Sequence, residues 1–155
     1  MFEAQNSKKV LLLPPQLKDD GDFAGNTYVD TAGFGYAEFL LAVGDTDVAA
    51  GDAIGSTAEG TAPYIEECDE TGGSYTKVAG AEFADPIQYN EDDKLFQIDV
   101  NLADKAHKRY MRLNAPHSAA GAVNGSNMAV ICILSKPEKG PANAADRGLT
   151  EHIIV

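Results

Sequence analysis

Leu95-Phe96-Gln97-Ile98-Asp99-Val100-Asn101-Leu102 is the stretch that decides the fold class. Phe96, Ile98, Val100 and Leu102 are apolar, and the residues between them, Gln97, Asp99 and Asn101, are polar. That is a period of two, not 3.6. A pleated strand sends alternate side chains to opposite faces, so the pattern predicts a strand with one side on a core and the other on water.

Working outward, Tyr36 to Val43 repeats the signal, with Ala37, Phe39, Leu41 and Val43 on one face and a mixed set on the other. Arg109 to Leu113 predicts a further strand, Tyr110 and Arg112 opposing Met111 and Leu113. Met128 to Leu134 is apolar on both faces and reads as a central strand. Val10 to Leu13 is a short edge strand that Pro14-Pro15 stops, because proline cannot donate to a ladder. Tyr64 to Cys68 and Tyr75 to Val78 flank Asp69-Glu70-Thr71-Gly72-Gly73-Ser74 and predict a polar, surface-exposed hairpin. No segment carries a convincing helical period. The expected fold is all-β, a single-domain antiparallel β-sandwich or jelly-roll-like barrel with extended terminal segments. The boundaries read as an extended segment over 1–17, a β-sandwich core over 18–135, and an extended segment over 136–155 with a final short strand.

With 155 residues, 44% of them apolar, the chain is the size of one domain with one core. Its net charge of −12 is uneven: from Asp45 to Asp104 there are 15 acidic residues and two basic ones, Lys77 and Lys94. Such a region repels phosphate, which excludes nucleic acid as the expected partner. It reads as a solvated acidic face, with a cation site or a dock for a basic partner as the alternative. The N-terminus lacks the features of a signal peptide and no apolar run is long enough to span a bilayer, so a soluble protein made in a cytoplasm is expected, with no membrane partner.

Chemistry is hard to find in the chain. His107, His117 and His152 stand in unrelated contexts, and no HExxH, GxSxG or Walker pattern occurs. Gly33-Phe34-Gly35 lacks the third glycine of a dinucleotide loop and precedes a strand. Cys68 and Cys132 have no metal-ligand spacing; Cys132 reads as a small core hydrophobe. Asp19-Asp20-Gly21-Asp22 and Asp45-Thr46-Asp47 put carboxylates in loops where calcium is a minor possibility. The expectation is no enzyme and no cofactor. Lys108-Arg109-Tyr110-Met111-Arg112 is a basic cluster, with Lys108, Tyr110 and Arg112 on one strand face and Arg109 on the other. It pairs with acidic neighbours or, as an interface, offers the anchor types Arg and Tyr. Ile153 and Ile154, in an apolar terminus after a polar stretch, are the other interface candidates, to be covered by the chain's own sheet or by a neighbour.

The series Val29-Asp30-Thr31-Ala32-Gly33-Phe34 leading into Tyr36 to Gly44 resembles small head proteins of tailed bacteriophages. So do Tyr64 to Glu70 followed by Tyr75 to Ala81, then Lys108 to Leu113, Ala129 to Leu134 and Ala145 to Leu149. The likeness runs from about Leu12 to the C-terminus by order of segments; Cys68 departs from it, since serine is the more usual neighbour of the acidic turn. The resemblance implies a capsid decoration (cement) protein: a structural virion protein, often a homotrimer, on the outer surface of the capsid. There it stabilises the shell by bridging major capsid proteins, with no cofactor. The alternative is a surface- or carbohydrate-binding β-sandwich of a head fibre or tail adhesin, which the absence of Trp disfavours.

Overall fold

The computed structural model describes residues 6–18, 27–46, 51–55, 61–103, 106–115, 126–137, 145–146 and 148–150. These form ten strands: β1 (Lys8–Lys18), β2 (Val29–Asp30), β3 (Phe34–Val43), β4 (Asp52–Ile54), β5 (Tyr64–Cys68), β6 (Thr76–Glu82), β7 (Ile87–Gln88), β8 (Lys94–Asn101), β9 (Tyr110–Asn114) and β10 (Ser126–Pro137). The protein is all-β, with three antiparallel sheets. Sheet A has the order β1-β10-β3-β8, sheet B the order β2-β9-β5-β6, and the small sheet C pairs β4 with β7. Among the described residues no ladder joins one sheet to another, so the barrel or jelly-roll closure allowed by the sequence is not present there.

One apolar cluster draws on all three sheets. Ala37, Phe39 and Leu41 of β3 are fully buried, as is Leu134 of β10; sheet B adds Val29, Ile65 and Met111, and sheet C adds Ile54 and Ile87. On β3 and β9 these residues come from the apolar half of an alternating strand, so burial there follows the period-two pattern directly. On β8 the inward set is as expected: Ile98 and Val100 are buried, and Phe96 and Leu102 pack against the cluster partly buried.

Two expectations need correction. Pro14-Pro15 does not stop β1, which runs on to Lys18; the ladder shifts register between Leu11 and Leu13 and again between Leu13 and Gln16, and these bulges accommodate the prolines at an edge. The predicted exposed hairpin is half interior, because β5 lies between β9 and β6 and buries Ile65, Glu66 and Cys68. β10 is central, as expected, and is covered on one side: Met128, Val130, Cys132 and Leu134 are buried, while Ile131, on the opposite face, is 37% exposed. The predicted final strand, with Ile153 and Ile154, lies outside the described residues, as does the Asp19 to Asp22 loop.

Loops are tied to the sheets by specific polar contacts. Thr46, 1% exposed, puts its hydroxyl 2.7 Å from the Tyr89 carbonyl and 2.6 Å from Asp92 Oδ1, and its N–H donates to the same Asp92 oxygen at 3.1 Å. Gln88 Nε2 donates to Asp52 Oδ1 at 2.8 Å across sheet C. Gly55 has φ +97°, and a Cβ there would come within 2.6 Å of the Thr61 carbonyl oxygen, so no other residue fits that turn unstrained.

Candidate functional site

The basic cluster predicted from sequence lies on the outer side of sheet B. The antiparallel register puts Arg112 beside Glu66 of β5, Tyr110 beside Cys68, and Asp30 of β2 beside Tyr110. Since Met111 and Leu113 are held in the core, Tyr110 and Arg112 must point outward.

Four tyrosines gather around these residues. The Tyr28 and Tyr110 rings meet edge to face with centroids 5.3 Å apart. Arg112 places its guanidinium 4.0 Å from the Tyr75 ring centre, Arg109 lies 5.1 Å from that of Tyr110, and Lys77 stands 4.8 Å from that of Tyr64. Each cation also has a carboxylate. Arg112 pairs with the buried Glu66, Lys77 with Glu82, and Arg109 forks onto Asp30 at 2.9 and 2.7 Å. The Arg109 hydrogen bonds hold the Asp30 carboxyl below its ordinary range. Desolvation pushes the Tyr75 phenol up.

The expected pairing of this basic cluster with acidic neighbours is therefore seen, but the assignment of faces is reversed for two residues. Arg109 precedes β9, where strand alternation does not apply, and turns to Tyr110 and Asp30 on the outer face. Lys108 turns toward β6, its ammonium donating to Thr76 Oγ1 at 3.1 Å and its N–H to Glu67 Oε2, also at 3.1 Å. That Glu67 oxygen lies 3.0 Å from His107 Nδ1, so the carboxylate ties the approach to β9 onto β5. Tyr28, Tyr64 and Tyr75 are not among the interface candidates that the sequence singles out. The alternation of β5 did mark Tyr64 as opposite Ile65, but Tyr28 and Tyr75 reach this face only through pairing register.

The rest of the chemistry inventory is spare. Cys68 and Cys132 are both free and buried, and desolvation pushes the Cys132 thiol well up. Among the described residues no group of three His, Cys, Asp or Glu side chains is spaced to hold a metal ion, and Thr46 of the Asp45 to Asp47 loop is engaged by Asp92. No described helix is long and apolar enough to cross a membrane.

No family model, no curated protein and no solved structure matches this chain. That overturns the viral labels drawn from the resemblance: bacteriophage, virion and capsid decoration are not descriptions this chain carries. The reason is physical. The segments that carried the likeness map onto β2, β3, β5, β6, β9 and β10 and a turn after β10, and what they share is strand alternation and turn chemistry, which many unrelated all-β proteins need.

Proposed function

We propose that this protein is a non-enzymatic attachment module, a two-layered β-sandwich that binds the outside of a larger protein assembly and steadies it by bridging neighbouring subunits. The observation that carries this reading is the outer face of sheet B, where Tyr28, Tyr64, Tyr75 and Tyr110 stand among Arg109, Arg112 and Lys77. Tyr and Arg are the side chains most enriched at the energetic centres of protein interfaces. Here their rings and guanidinium groups are braced by intramolecular stacking and ion pairs, so less side-chain entropy is lost on docking. A module that binds the assembled state better than free subunits stabilises that state by mass action.

The test is fractionation of the native source on a density gradient. Wild-type protein should travel with particles far heavier than itself, and a Lys77→Glu/Arg109→Glu variant, which spares the buried Glu66 pair, should stay in the light fractions. Adding wild-type protein to particles stripped of it should raise the temperature at which they come apart. Wild type that stays light, or a variant that still travels with the particles, overturns the proposal.

A carbohydrate platform is the second reading, favoured by the 38% exposure of Tyr28 beside the Tyr110 ring. Exposed aromatic faces stack on sugars. A glycan array separates the two: specific signal that Tyr28→Ala removes supports the sugar reading, and no signal supports attachment to protein.

A further inference from the structure

The outer face of sheet A, on the other side of the molecule's core from the sheet B tyrosines, exposes Leu11, Leu17, Leu95 and Ile131. In pairing register its cross-strand rows are Lys9, Ile133, Glu38 and Asp99; then Leu11, Ile131, Leu40 and Gln97; then Pro14-Pro15, Ala129, Ala42 and Leu95. Leu17 follows at the far end of β1. Leu11 is 54% exposed, Leu17 53% and Leu95 68%. Clusters of this kind on one flat face mark association surfaces.

We propose that a second copy of this chain covers this face, the two A sheets packing face to face about a two-fold axis parallel to their strands. Such an axis lays β1 over the partner's β8 and β10 over the partner's β3, row against the same row. It brings Ile131 against Leu40 of the second copy, Ala129 against Ala42, and Leu95 against the Pro14-Pro15 ridge. The same operation sets Lys9, at the β1 border, opposite Asp99, at the β8 border. A charge pair is thus made twice, and in the same row. An isologous contact needs this self-complementarity, and a patch of one sign could not supply it.

The area sets the strength. Four strands about 4.8 Å apart, over a strand length of roughly 26 Å from Lys9 to Leu17, cover roughly 500 Å² per copy. Roughly 1,000 Å² in total is at the lower bound for a specific interface. Each chain also carries a net charge of −12, whose repulsion must be screened. The dimer is therefore concentration-dependent and forms at physiological salt rather than in dilute buffer.

The experiment is sedimentation velocity on the full chain from micromolar to near-millimolar concentration in physiological salt. Wild type should move from monomer to dimer mass, while Leu11→Glu/Leu95→Glu, both on exposed positions, should remain monomeric. Lys9→Asp and Asp99→Lys should each weaken the dimer at least tenfold, and the two combined should restore it, which a folding defect could not produce. Arg109→Glu, at an exposed position on the sheet B face, should leave the dimer unchanged, so this result stands apart from that of the attachment test. A monomer at every concentration, a trimer mass, or a charge swap that fails to restore association overturns the proposal.

Discussion

The guanidinium of Arg112 is held between the Tyr75 ring, 4.0 Å from its centre, and the carboxylate of Glu66, a side chain only 7% exposed. Removing one partner of such a pair leaves the other desolvated and unpaired, which costs more than the pair itself contributes. Arg112→Leu should lower unfolding free energy by about 2–4 kcal/mol, read from urea midpoints. Adding Glu66→Gln should recover a large part of that loss. A double variant no more stable than the single one would mean that packing on Tyr75, not the charge, holds the site.

Thr46 offers one hydroxyl hydrogen to two acceptors, the Tyr89 carbonyl and the Asp92 carboxylate. Its side chain is almost wholly buried, so Thr46→Val takes the hydroxyl donor from the Tyr89 carbonyl and leaves Asp92 with only the Thr46 N–H. The expected loss is about 1–3 kcal/mol, with Thr46→Ser retaining most of the stability. Equal midpoints for Val and Ser would refute the role given to the hydroxyl.

Asp30 should make stability depend on acid. Its carboxyl titrates below its ordinary value because Arg109 hydrogen-bonds the charged form. In the unfolded chain it therefore binds its proton more readily than in the folded one. The contribution is present above the unfolded value, near 4, and is lost as pH falls through the lower folded one. Both side chains are well exposed, so the effect is screened and small. The stability gap between wild type and Asp30→Asn should narrow between pH 6 and pH 3, and a gap constant with pH would exclude the linkage.

Cys68 is packed under the loop that leads into β6: a Cβ on Gly73 would lie 2.6 Å from its sulfur, and Tyr75 follows two residues later in that loop. Native protein should therefore react slowly with a thiol reagent at both cysteines. Tyr75→Ala should speed labelling of Cys68 by about an order of magnitude while Cys132 stays protected. Mass mapping of the labelled site decides it.

Gly55→Ala should cost at least about 1 kcal/mol, since φ +97° and the Thr61 carbonyl both exclude a side chain there. Thermal melts would reveal it, and an unchanged melting temperature would mean the turn can re-form without the positive φ.

Much of the fold was legible in the sequence wherever alternation was unambiguous. Phe39 and Leu41 of β3 and Ile98 and Val100 of β8 are buried as their period required. The pattern failed on β10, since a strand apolar on both faces says nothing about which face is covered. It failed again at Arg109, one residue before β9, because facing rules hold only where the backbone is pleated. Half of the candidate site was readable: Tyr110 and Arg112 come from one strand. The rest depends on register between segments far apart in the chain, such as Tyr75 over Arg112 and Tyr28 beside Tyr110, and no local pattern encodes that.

The bulged proline pair in β1 has a consequence for how this protein behaves at high concentration. A free strand edge is a comb of amide donors and carbonyl acceptors, ready to template another chain and grow into a fibre. Pro14 and Pro15 carry no amide donor for that comb, and the register shifts before them and across them bend what is left out of line. The edge can thus be crowded against its neighbours without seeding amyloid-like growth. Association is left to side-chain faces, which come apart on dilution.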